Sequence, residues 1–151
     1  MHTGRLLDTV AWVLIEGGRI LCARPHDADV FFVPGGKREG DETDLHTLLR
    51  EIHEELTVAL VPDTVAHVGT YEAPLSGTAG PGTAAGPGAA TGSVRMACYT
   101  ADYTGIIVPS SEIADIAWFG YGERALVPPV DQLLFDDLVA AGWLPDHDID
   151  R

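Results

Sequence analysis

Glu51, Glu54 and Glu55 fall close together in the run LHTLLREIHEEL, residues 45–56. At about 100° per residue, a helix holds three carboxylates with this spacing within roughly 100° of arc. Leu45, Leu48, Leu49, Ile52 and Leu56 recur at the spacing of a separate apolar face. One helix would then pack into a core on one side and carry clustered negative charge on another. Like charges three and four residues apart repel, and a hard divalent cation relieves that repulsion. A solvated acidic face is the competing reading of the same residues.

The surrounding spacing decides between them. Gly36 is followed by five residues and Glu42, then by seven residues and Arg50-Glu51. Ile52, His53, Glu54-Glu55, Leu56, Thr57 and Val58 complete the run. It resembles the box of the Nudix hydrolase family: Gly, five residues, Glu, seven residues, Arg-Glu, an aliphatic, any residue, Glu-Glu, any residue, Gly, an aliphatic. Thr57 stands where that pattern has its last Gly. A Gly just past a helix commonly takes a left-handed conformation, which strains a β-branched Thr. The helix is therefore expected to end with a different cap. Gly40-Asp41 precedes Glu42, where family members commonly place the Gly directly before the Glu.

The resemblance implies a MutT-like, metal-dependent hydrolase with Mg²⁺ (or Mn²⁺) as cofactor. Glu51, Glu54 and Glu55 are the metal ligands it implies, with Glu51 also orienting or deprotonating water. Arg50 holds a box glutamate in place, and Glu42 supports from behind the ligands. A further carboxylate is expected from a loop before a Trp-containing strand. Glu112, six residues before Trp118, fits that placement, and Glu72 competes with it. Gly35, Gly36 and Arg24 are candidate contacts to substrate phosphates, Arg24 being equally readable as a surface residue. Trp118 and Phe119 can stack on a base, although core packing is the simpler reading. His53 fills a variable position and carries no assigned role.

The expected reaction is cleavage of a nucleoside diphosphate linked to a further group. The preferred substrate is a nucleoside triphosphate, modified or oxidised, giving the monophosphate and pyrophosphate. ADP-ribose or a nucleotide sugar is the alternative, and a non-catalytic nucleotide sensor is the alternative of another class. Residues Val30 to Val33 and the Pro25 to Asp29 loop would border the base, by analogy.

The elements that must position these groups follow from the rest of the chain. Its 151 residues suit one domain, and 46% are hydrophobic, which suits a globular core. Nine Lys and Arg stand against 23 Asp and Glu, a formal net charge of −14. That balance argues against a nucleic-acid polymer or an anionic membrane as partner. The expected partner is a small nucleotide, with a homodimer as the assembly to test. No run reaches the length of a membrane span, and residues Met1 to Arg5 lead into a strand-like run without a signal-peptide pattern. Cys22 and Cys98 read as buried thiols, which suits a reducing cytoplasm.

Leu6 to Ile15 and Arg19 to Arg24 read as a hairpin about Gly17-Gly18. Val30 to Val33 reads as a short strand that delivers the chain to a Pro34-Gly35-Gly36 turn. The box helix is expected over about Asp44 to Leu56, capped by Thr43 or Asp44, with Pro62 barring continuation. Thr64 to Pro74, Val94 to Tyr103 and Ile116 to Phe119 read as strands. Ser76 to Ser93, almost wholly Gly, Ala, Thr and Pro, reads as a flexible insertion in a hairpin rather than a domain linker. Val130 to Ala141 has helical spacing, and Gly142 ends it. The expected fold class is α/β: a single Nudix domain over residues 1–151, with a mixed β-sheet sandwiched between α-helices.

Overall fold

The computed structural model describes residues 6–74 and 92–146. The low-complexity segment falls almost wholly outside the described residues, as does most of the polar tail. The strands that flank the segment, β6 (Ala66–Pro74) and β7 (Ser93–Thr100), pair antiparallel as far as Pro74 opposite Ser93. The chain between them therefore joins neighbouring strands of one sheet.

That sheet has the order β4-β1-β7-β6. β1 (Leu6–Trp12) lies parallel to β7 and antiparallel to β4 (Gly35–Lys37), so the sheet is mixed. A second sheet joins β2 (Ile15–Glu16), β3 (Arg19–Pro25) and β9 (Ile113–Phe119). β5 (Ala59–Leu60) and β8 (Tyr103–Thr104) form a small antiparallel pair.

Alternation along β1 divides the core. Val10 and Trp12 face helix α1 (Asp44–Leu56), packing with Leu48, Ile52, Leu56 and Val58. Ala11 and Val13 face the other way, packing with Met96, Cys98 and helix α2 (Pro129–Ala140) through Val130, Leu134, Phe135 and Leu138. Period-two strands between two amphipathic helices give the α/β sandwich. Cys22 and Cys98 are buried free thiols. No helix among the described residues is long and apolar enough to cross a membrane.

Four local expectations need correction. The Leu6–Ile15 run is not one arm of a hairpin: it divides between two sheets, and only Ile15–Glu16 pairs with β3 about Gly17-Gly18. The division comes just after Val13: its N–H still donates to the Tyr99 carbonyl of β7 at 2.8 Å, whereas the Leu14 carbonyl accepts from the Leu21 N–H of β3 at 2.9 Å. Val30–Val33 forms no strand; Phe32 alone bridges to Ala23. Gly35 and Gly36 belong to β4 rather than to a turn. Leu45 lies outside the apolar face, 42% exposed, because it falls in the first turn beyond the edge of the sheet-facing stripe.

Candidate metal centre and active site

Helix α1 begins at Thr43, whose Oγ1 accepts from the His46 N–H at 3.1 Å. This cap fixes where the helix starts, and the apolar face fixes its rotation and with it the direction of each carboxylate. Leu48, Ile52 and Leu56 are fully buried against the sheet. Glu51 and Glu55, one turn apart, then point along the edge of β4.

The glycines of β4 make room for them. A Cβ on Gly36 would stand 2.2 Å from Glu51 Cδ, so any side chain there would displace the carboxylate. A Cβ on Gly35 would stand 1.9 Å from the backbone oxygen of Val10. The Gly35 N–H also donates to Glu55 Oε1 at 3.3 Å. Both glycines are thus required by close approach.

The third carboxylate comes from a distant loop. Glu112 lies just before β9, and its side chain joins Glu51 and Glu55 so that one oxygen from each lies within 4.8 Å of the others. The Glu112 carbonyl accepts from the His26 N–H at 2.9 Å, which ties the loop to the end of β3. Glu72, on exposed β6, accepts from Ser93 Oγ at 3.3 Å and is not in the cluster. Glu54 stands outside it too, its side chain 49% exposed and 3.7 Å from Arg50 Nη1.

Electrostatics concentrate on Glu55. Burial, then the negative charges of Glu51 and Glu112, push its carboxyl well above the usual range. Glu51 also rises through burial, opposed by the Arg50 guanidinium. Arg50 grips Glu42 with two 2.8 Å hydrogen bonds, through Nε to Oε2 and Nη2 to Oε1. Its Nη1 donates to Glu51 Oε2 at 3.0 Å, and Nη2 reaches the Lys37 carbonyl at 3.3 Å. That fork holds Glu42 down to about 2, helped by the Glu39 N–H and Thr47 hydroxyl. Glu42 therefore stays ionised and fixes Arg50, which fixes Glu51.

The expected helix terminus is wrong in two respects. Thr57 adopts the left-handed conformation itself, at φ 65° and ψ 15°, and its N–H donates to the His53 carbonyl. No different cap replaces it, and Pro62, six residues past the helix end at Leu56, has no part in stopping it.

Arg24 is committed elsewhere: Nη2 bonds Asp115 at 2.7 Å, and Nη1 bonds the Pro25 and Ala28 carbonyls. Phe119 packs against Phe31 with ring centroids 5.0 Å apart, and Trp118 joins the α1-side core, so both have packing roles. His53 is exposed in the last turn of α1.

The carboxylate cluster lies on the wall of a cavity of about 430 Å³. Leu7, Phe32, Val33, Val94, Met96 and Val130 supply apolar walls. At its floor Asp131, 3% exposed, accepts from the Val33 N–H at 2.8 Å. Burial pushes its carboxyl up to about 7. Sequence reasoning passed over Asp131, because an acid in the first turn of a helix is ordinarily a solvated dipole partner. A first-turn acid amid Val130, Leu134 and Phe135 was the available signal.

All three clustered groups offer carboxylate oxygens, the donor type hard divalent cations take. Two have raised proton affinity because negative charge is crowded and partly buried, and Gly36 keeps the space beside Glu51 clear. The residues fit such an ion.

Comparison with known proteins agrees. The chain resembles the solution structure of the E. coli ORF135 protein with a TM-score of 0.68 at 22% identity, over 97% of this chain and 96% of that one. It resembles the MutT protein from Methanosarcina mazei Go1 with a TM-score of 0.70 at 16% identity, over 94% and 98%. It also resembles a bifunctional NMN adenylyltransferase/ADP ribose pyrophosphatase from Francisella tularensis, complexed with AMP and Mn ion, with a TM-score of 0.61 at 16% identity, over 91% of this chain and 42% of that one. At these identities the likenesses show the fold. No curated protein sequence matches the chain significantly. The family model described as NUDIX domain matches residues 5–137, nearly the full length. With that match, the box helix and its glycine strand in place, the chain belongs to the NUDIX family and is a hydrolase of phosphoanhydride bonds.

Proposed function

We propose that this hydrolase is a divalent-metal-dependent nucleoside triphosphate pyrophosphohydrolase, acting on a modified or oxidised nucleotide. The observation that carries it is the meeting of Glu51, Glu55 and Glu112 on the wall of an apolar cavity with a buried acid at its floor. One water is consumed, the bridge between the α- and β-phosphoryl groups breaks, and the monophosphate and pyrophosphate leave. Glu51, Glu55 and Glu112 would hold Mg²⁺ or Mn²⁺, which when bound neutralises phosphate oxygens and acidifies a coordinated water.

The chain's own residues do the rest. Arg50, held by Glu42, positions Glu51 directly and supplies positive charge behind the ligands. Glu54, outside the cluster and 3.7 Å from Arg50 Nη1, would act on the ion from the exposed side of α1. Phe32, Val33 and Met96 enclose the base and exclude solvent. Asp131 would accept from a base N–H when ionised and donate to a base acceptor when protonated. The Pro25–Asp29 loop does not line this cavity.

A panel of canonical and oxidised triphosphates, ADP-ribose, nucleotide sugars and dinucleoside polyphosphates tests the reading, with products separated by chromatography. Pyrophosphate formed directly from a triphosphate supports it. Exclusive turnover of ADP-ribose or a nucleotide sugar overturns the substrate and leaves the metal centre standing. Tight nucleotide binding without metal-dependent turnover overturns both in favour of a sensor.

A further inference from the structure

Among the described residues, Thr57 and Ser111 are the non-glycine residues with positive φ, at 65° and 57°. Both touch the same stretch, residues 105–112. Left-handed backbone is a steric burden for a β-branched side chain that glycine would not carry. Strain that a glycine would relieve calls for a compensating contact.

Thr57 makes one. Its Oγ1 lies 3.1 Å from the Ile106 carbonyl and 2.5 Å from its own helix's Leu56 carbonyl. The Val108 N–H then donates to the Leu56 carbonyl at 3.0 Å, and the Ser110 N–H to the Glu55 carbonyl at 2.8 Å. The final carbonyls of α1 are thus satisfied by the loop itself. Ser111 turns the chain, and Glu112 follows into the cluster. Ile106 is 79% and Val108 48% exposed, so the apolar hold on residues 106–108 comes from Ile107 alone, packed against the α1-side core. Hydrogen bonds to the end of α1 supply the rest of the loop's register.

We infer that Thr57 is a positioning residue for the metal centre: its left-handed backbone and hydroxyl clasp the loop that carries Glu112 into contact with Glu51 and Glu55. The inference rests on the reading of Glu112 as a ligand. Where the family pattern uses glycine, this chain uses threonine to fasten its third carboxylate.

Mn²⁺ binding to the nucleotide-free protein, followed by electron paramagnetic resonance, tests this together with thermal melting. Thr57→Gly relieves the strain, so its melting temperature should equal or exceed that of the wild type. Its Mn²⁺ affinity should fall about tenfold, as expected when support behind a ligand is removed. Thr57→Ser keeps the hydroxyl and should bind Mn²⁺ within about twofold of wild type. Glu112→Gln is the control and should weaken binding at least as much as Thr57→Gly. Wild-type Mn²⁺ affinity in Thr57→Gly, with Glu112→Gln weakened, overturns the role of Thr57 alone. Wild-type affinity in Glu112→Gln removes Glu112 from the metal centre and the inference with it.

Discussion

Glu55 carries most of the electrostatic tension of this molecule. The residue is 2% exposed, and its carboxyl faces two other carboxylates and accepts one long hydrogen bond from Gly35. A buried charge in such surroundings destabilises the fold until a cation or proton joins it. Glu55→Gln should therefore leave the metal-free fold as stable as the wild type or more so. It should lower kcat by roughly two orders of magnitude or more, through weakened metal binding. Glu54→Gln, outside the cluster, should also lower kcat while leaving Mn²⁺ affinity closer to wild type. Turnover and Mn²⁺ titration of both variants check this, and near wild-type turnover in Glu55→Gln would sink the assignment. The three box glutamates were legible in the sequence as a group. Their division into two clustered and one outside the cluster was not, because helical spacing fixes angles about an axis but not what lies opposite. That Glu112, and not Glu72, lies beside Glu51 and Glu55 follows from a loop whose path depends on backbone bonds to Glu55 and Leu56.

At the scale of elements, the pairing of α1 with β4 is what makes the site. Gly36 and Gly35 have different neighbours, which separates function from stability. Gly36→Ala meets the end of a side chain that can swing away, so the fold should survive while Glu51 is displaced and turnover drops. Gly35→Ala meets the Val10 backbone, which cannot yield without opening the β1–β4 ladder. It should cost more than about 2 kcal/mol, read from urea denaturation alongside turnover. Equal effects of the two changes on stability would contradict the division. Both helices and the Thr43 cap could be read from spacing, because local capping and apolar periodicity agree with the tertiary packing. The division just after Val13 could not, since an apolar β-branched run looks the same within one sheet or across two. Thr57 failed as a reading because local sterics disfavour it, and contacts with residues 49 positions away compensate.

For the molecule as a whole, pH reaches stability through Asp131. Its folded-state carboxyl is raised from an ordinary 3.8 to about 7 by burial. The folded protein therefore binds a proton more tightly than the unfolded chain. The associated stability is complete below about pH 4 and is lost as pH rises through about 7, by an amount on the order of a few kcal/mol. Asp131→Asn, which keeps an acceptor for the Val33 N–H, should flatten the stability profile between pH 4 and 8. Glu55 shifts in the same direction, so the difference between wild-type and variant denaturation curves isolates Asp131. Parallel curves would show that Asp131 stays ionised in the fold.

The central position of β1 has a consequence for how the chain is made. Its parallel partner begins at Ser93, opposite Leu6, while its nearer neighbour β4 contributes only three residues. When α1 leaves the ribosome, the sheet it lies on is still missing its middle. The apolar stripe of Leu48, Ile52 and Leu56 must wait for β7 to be synthesised, and long-range closures of this kind are slow. Glu112 arrives later still. The nascent chain therefore completes its four-stranded sheet before Glu112 can meet Glu51 and Glu55, so an ion held by all three would bind late in assembly.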